Sequence, residues 1–253
     1  MGCRDFKERL LGLVAAVAAV LWVSACAMPE NTSLREAHGT LPTRAEVTNL
    51  PFFPQSRLFC GPAALATVLV WSGIPVTQEE VAREVFTPGR AGTLAPDMIV
   101  AARRHGRLAV PVQALRDILG EIAAGHPVVV FQNLGLEAIP IWHYAVAYGF
   151  DLSQGMITLR SGEHTHVATP LEVFERTWRR ADRWALVVLP PGRIPVTAKE
   201  ADVVRAAAAL ERTGRPYEAA LAFESVVLRW PESVGALIGT ANARFAVGDV
   251  AGA

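Results

Sequence analysis

The chain has 253 residues, 24 Lys and Arg against 24 Asp and Glu, and a hydrophobic fraction of 51%. That length and apolar content suffice for one core-bearing domain and a smaller appendage. The even charge balance excludes the basic footprint of a nucleic-acid binder.

Residues 1–25 read as a segment to set apart from the fold. Arg4, Lys7 and Arg9 make a basic start, and Leu10 to Val23 is an almost unbroken apolar run, the pattern of a secretory signal. The run is shorter than the ~20 residues a spanning helix needs. Val23-Ser24-Ala25-Cys26 resembles the lipobox of bacterial lipoproteins, which implies a lipid on Cys26 and membrane attachment through it. Ala27 follows where enteric lipoproteins held at the inner membrane carry aspartate, so the resemblance implies the outer membrane, facing the periplasm. Residues 26–48 are polar and proline-containing, as expected of a tether. With Cys3 removed and Cys26 lipidated, Cys60 is expected to be the one thiol of the mature chain, in an oxidising compartment and without a disulfide partner.

Phe53 to Gly73 carries the first chemical signature. Pro62 suits a first helical turn, Ala64, Leu65, Val68 and Leu69 repeat at helical spacing, and Gly73 can close the helix. Cys60 thus stands at a helix mouth, where N–H groups and the macrodipole favour an anion. Its thiol is expected to ionise more easily there and to act as a nucleophile. Gln55, five residues upstream, offers a side-chain amide to an oxyanion forming near that sulfur. The same position also suits an inert, apolar cysteine.

Thr77 to Glu80 has the capping-box pattern and opens a second helix bearing Val81, Val85 and Phe86. Pro88-Gly89-Arg90 is a turn, and Asp97 to Arg104 reads as a third helix ended by Gly106. Ala109 to Gln113 alternates as a strand. Leu115 to Ala124 is helical, stopped by Gly125 and Pro127, and Val128 to Phe131 is a short buried strand. After a loop at 134–140, Ile141 to Phe150 reads as a long central strand. Asp151 to Gly155 is a turn, and Met156 to Arg160 runs back beside that strand. Thr169-Pro170 starts a helix through Trp178, and Trp184 to Leu189 is the last strand. Helices followed by a mostly antiparallel sheet predict an α+β domain over 49–192.

Residues 198–253 change to alanine-rich helix with a period. Gly214 and Gly248 are 34 residues apart, as are Ala219 and Ala253. With Phe223 and Pro231 they occupy the positions of a tetratricopeptide repeat, a second unit of which stops mid-repeat at Ala253. An ordinary helical hairpin fits the same residues.

His143 lies near the start of the central strand. A strand histidine is commonly a satisfied core group, but one brought beside Cys60 would take the thiol proton and return it to a leaving group. His164 and His166 share a strand face and with His143 would make three candidate zinc ligands. Metal sites add a further well-placed ligand and an outer shell, so neither metal nor cofactor is expected. His105 and His126 stand beside helix-ending glycines, where the dipole favours a cation.

Gln-x4-Cys-Gly-Pro-Ala-Ala-Leu-Ala from Gln55, with His-Tyr-Ala-Val-Ala-Tyr-Gly-Phe-Asp from His143, resembles the papain-like cysteine peptidases related to bacteriocin-processing enzymes, which cut leader peptides after double glycine. The resemblance implies a papain-like domain, Cys60 as nucleophile, His143 as base and Gln55 as oxyanion donor. The family's third member is an aspartate at the end of the strand after the histidine strand, and hairpin pairing puts Ser161 there. Glu163 or Asp151 could substitute, Asp151 being more simply a turn residue. The expected activity is peptide-bond hydrolysis through a thioester on Cys60, with a protein or peptide substrate and a protein partner on the repeat surface. Two rivals remain: a non-catalytic docking lipoprotein on a degenerate peptidase fold, and an acyl transferase using the same Cys–His pair.

Overall fold

The computed structural model describes residues 41–54, 58–90 and 92–252. The signal segment, Cys26 and Gln55 lie outside the described residues.

The core helix α1 (Cys60–Trp71) is buried on nearly all sides, nine of its twelve residues being inaccessible. This is why its apolar residues run together instead of forming one stripe. Its C-terminus closes as the glycine predicts. Gly73 adopts φ +92°, its N–H bonds Val70 O, and the Ile74 N–H bonds Leu69 O. Arg107 adds its guanidinium to that end, bonding Ser72 Oγ and O, each at 3.0 Å. Helix α2 (Gln78–Val85) starts on the reciprocal Thr77–Glu80 capping box. The Pro88–Arg90 3-10 turn is bracketed by the short pair β2 (Phe86–Thr87) and β3 (Gly92–Thr93), and α3 (Ala95–Arg104) follows.

The sheet is built on β6 (Trp142–Asp151). Its strand order is β4 (Leu108–Val112), β9 (Ala185–Leu189), β5 (Val128–Asn133), β6, β7 (Met156–Ser161), β8 (His164–Pro170), with every neighbouring pair antiparallel. β5 covers Trp142 to Ala147 of β6. The rest of that edge is filled by β1 (Arg44–Glu46), paired with Gly149 to Asp151. Helix α4 (Leu115–Ala123) precedes β5, and α5 (Leu171–Arg179) packs on it, with Gln132 Nε2 donating to Thr177 Oγ1 at 2.6 Å.

Three expectations need correction here. The tether expected through residue 48 ends earlier: Arg44–Glu46 is a strand, Val47 and Leu50 are buried, and the Val47 N–H bonds Tyr148 O. The β6 edge beyond Ala147 would otherwise carry unpaired backbone groups. β8 carries the strand face of His164 and His166 on through Pro170, a length the chain does not show because its residues are largely exposed and lack apolar alternation. Thr169 and Pro170 close that strand, so the helix starts at Leu171.

Beyond residue 198 come α6 (Glu200–Arg212), α7 (Pro216–Arg229) and α8 (Val234–Ala246). α6 and α8 begin 34 residues apart, and Gly214 and Gly248 turn the chain after each with φ +75° and +87°. Val203, Ala207 and Leu210 of α6 pack with Ala219, Phe223 and Val226 of α7, and Leu108 and Val110 of β4 join that core. The helical segment therefore shares a hydrophobic core with the sheet edge.

Candidate active site

Cys60 is the first residue of α1, and two features leave that helix end open to an anion. No side chain caps it and no acidic residue stands in its first turn. Pro62 has no N–H to offer, so the donors facing the sulfur are the backbone N–H groups of Cys60 and Gly61, together with that of Tyr144 on β6. The approach is tight. A Cβ on Gly61 would come within 2.5 Å of Thr93 Cβ, while Tyr144 Oη donates to Thr93 O at 3.3 Å. β3, α1 and β6 thus meet at the sulfur.

The thiol is not easier to ionise than an ordinary one. Burial pushes the Cys60 pKa above 9.0, and the three N–H groups offset only part of that rise. The helix mouth was expected to win, but desolvation is the larger effect. The same burial lowers His143 below 6.5 and raises the Tyr144 phenol, with the Cys60 and Asp97 charges adding to it. Near neutral pH the site therefore holds a thiol and a neutral imidazole.

His143 immediately precedes Tyr144, whose N–H reaches the sulfur, and its Nε2 lies 2.7 Å from Ser161 Oγ. Of the three residues considered for that position, only Ser161 touches the ring. Gly162, at φ +63°, turns β7 tightly into β8 with Ser161 opposite His164, which leaves Glu163 exposed in the turn. Asp151 is at the far end of β6, where its Oδ1 accepts from Ser153 Oγ (2.6 Å) and the Gln154 N–H (3.1 Å). Those contacts hold its carboxyl below the usual range; it shapes the turn.

His166, His126 and His105 each have a structural partner. Nδ1 of His166 lies 3.1 Å from Tyr148 Oη, whose hydroxyl reaches Thr165 O at 3.3 Å. His126 Nδ1 donates to Glu121 Oε2 at 2.7 Å, and Oε1 of that fully buried glutamate accepts from Thr197 N and Oγ1. His105 Nε2 meets Glu84 Oε1 at 2.9 Å. Among the described residues, no three His, Cys, Asp or Glu side chains gather as a metal site.

Two supporting residues were not read from the sequence. Asn133 Oδ1 accepts from the Gly135 and Ile141 N–H groups and its Nδ2 donates to Leu136 O, closing the loop that leads into His143. An asparagine at a strand end before a loop is a recognisable signal for this. Arg160 donates to Leu50 O (2.7 Å) and Thr165 O (2.8 Å) and stacks over Tyr148, fixing the segment that approaches α1. Nothing local in the sequence marks that role. Around the site the surface is apolar: Leu58, Leu134, Leu136, Ile139, Ile141 and Trp142 are all exposed.

A family model described as "Peptidase_C39 like family" matches residues 47–186. Among solved structures, the chain is similar to a protein from Bacillus anthracis described as a C39-like peptidase. The two share 20% identity with a TM-score of 0.51, over 58% of this chain and 98% of that one. It is also similar to a double glycine motif protease from an AMS/PCAT transporter, solved with the leader peptide (23% identity, 57% and 96% coverage, TM-score 0.42). A third is the peptidase domain of Streptococcus ComA, a bi-functional ABC transporter involved in a quorum-sensing pathway (21%, 56% and 99%, 0.47). No curated protein matches. The first structure bears on the fold: helices packed on an antiparallel sheet in the papain-like manner, with α6 to α8 outside the matched family region.

Proposed function

Since this chain belongs to the Peptidase_C39 like family over residues 47–186, we propose that it is a cysteine peptidase that hydrolyses peptide bonds through a thioester on Cys60. The observation that carries the reading is the meeting of α1 and β6: the Tyr144 N–H on the Cys60 sulfur and the neighbouring His143 ring held by Ser161.

With the His143 Nε2–H donating to Ser161 Oγ, the Nδ1 lone pair serves as base. Nδ1 takes the thiol proton as Sγ attacks the peptide carbonyl carbon. The developing oxyanion is met by backbone N–H groups at the α1 start and by the Gln55 amide. The C–N bond breaks, and the imidazolium returns its proton to the leaving amine. A water that gives its proton to Nδ1 then opens the thioester, releasing the acid and restoring the thiol. Ser161 orients the ring but stabilises imidazolium less than a carboxylate would, which fits general-base attack by a neutral pair. The exposed apolar residues from Leu134 to Trp142 suit a peptide substrate with apolar side chains. The lipid on Cys26 would tether the enzyme to the outer membrane on its periplasmic side, and the 34-residue helical period would present a tetratricopeptide surface to a protein partner.

The test is labelling by a peptide electrophile followed by mass spectrometry of the modified residue. Labelling disappears in Cys60→Ala and slows by about 100-fold or more in His143→Ala, the scale of general-base loss. Undiminished labelling in His143→Ala ends the proposal. Ser161 and the raised thiol also favour a second reading, a peptide-binding module without turnover. Peptide binding with no product over many hours would select it.

A further inference from the structure

A cleft of about 520 Å³ lies where α3, β4, α4 and α6 meet, and none of the residues of the Cys60 site lines it. Its walls include the apolar Val112, Ala206 and Ala209. Its charges are unevenly matched. Asp202 is paired with Arg205, and Asp117 lies within reach of the Lys199 charge. Arg103 and Arg212 also line the cleft, and among the described residues neither makes an ion pair. Arg103 Nε is sealed from solvent without a hydrogen-bond partner. Burial, and then the nearby charge of Arg212, pulls the Arg103 guanidinium below its ordinary range. Two like charges brought together around an unsatisfied donor are costly, and an anion between them relieves both penalties.

We propose that this cleft binds a small oxyanion, a carboxylate or phosphate group on a short apolar body, clamped between Arg103 of α3 and Arg212 of α6. Planar guanidinium forks match two-oxygen anions, the alanine and valine wall takes the apolar body, and the volume lies in the range of small-molecule sites. The two arginines come from opposite sides of the junction between the peptidase domain and the helical segment. The bound anion therefore ties the two together and stabilises only their docked state. The inference is independent of turnover at Cys60.

Thermal unfolding of the full chain, with isothermal titration, tests it. The probes are inorganic phosphate, N-acetylleucine and, as a neutral control, N-acetylleucinamide, all at ionic strength matched with chloride. One of the two anions raises Tm saturably, by about 5 °C or more at 100-fold above its Kd, and the amide does nothing. The better anion identifies a phosphate or a carboxylate source. Arg212→Gln, at an exposed position on the end of α6, weakens binding about tenfold or more, and Arg103→Gln does the same, while Cys60 labelling keeps its rate. The proposal is overturned if neither anion exceeds chloride, or if Arg212→Gln binds as the parent does; the second criterion holds even should Arg103→Gln fail to fold.

Discussion

A hydroxyl stands against the His143 ring at Ser161, where a carboxylate could have countered the burial that sets the protonation states. A carboxylate against His143 would stabilise imidazolium and, through it, thiolate; a hydroxyl does not. Burial then prevails at both residues, raising Cys60 above 9.0 against the partial offset of its backbone N–H groups and lowering His143 below 6.5. Relative to the unfolded chain, the native state holds the thiol proton to higher pH. Its contribution to stability is full below pH 9 and is lost as pH rises through the folded value. His143 has the opposite sign: its contribution is full above pH 6.5 and is lost as pH falls through the folded value. Alkylation of native Cys60 by iodoacetamide should therefore climb about tenfold per pH unit through pH 9, following the thiolate fraction. A plateau below pH 6 would mean that an ion pair exists after all. Ser161→Asp should move the onset of alkylation down by at least about one pH unit, whereas Ser161→Ala should leave the onset in place and slow peptide hydrolysis about tenfold, the worth of one hydrogen bond.

At the level of elements, the site depends on two strands that end at it and on the loop between them. Asn133 terminates β5 and Trp142 starts β6, paired across the ladder, and the intervening loop folds back on the Asn133 side chain. Under the proposed function, the exposed apolar residues of that loop are the surface that takes the peptide. Asn133→Ala removes three hydrogen bonds from the loop but none from His143. The expected outcome is a KM raised about tenfold or more, with kcat changed far less, measured on a peptide with apolar side chains. An equal fall in kcat and kcat/KM would place Asn133 in transition-state stabilisation instead.

Across the whole molecule, β4 joins the peptidase sheet to the C-terminal helices. Leu108 and Val110 share a core with Val203 and Leu210, so the helical segment is an extension of the domain core. Leu210 is completely buried in it. Leu210→Ala should cost about 2–5 kcal/mol, seen by chemical denaturation as a lower midpoint in a single transition. Two separated transitions, with only the second unchanged, would show that the segments unfold independently. Arg103 and Arg212 span the same junction, which is why an anion there would act on docking.

Much of this protein was legible in its chain, because local physics dictates local structure. The Cys60 helix and its Gly73 closure, the Thr77–Glu80 cap, the β6–β7 hairpin and the arrival of Ser161 beside His143 all follow from spacing, capping and register. Strand β1 and the extent of β8 beyond His166 were not legible: β1 satisfies an edge that β5 is too short to cover, and β8 has no apolar face of its own. The ionisation of Cys60 was not legible for a related reason. A helix mouth is visible in sequence and favours the thiolate, but the depth at which neighbouring elements bury it is not, and at this sulfur desolvation outweighs the dipole. Sequence set the helix that carries Cys60 and the register that brings Ser161 to His143; tertiary packing alone set the dielectric around these groups, and with it the charge they carry.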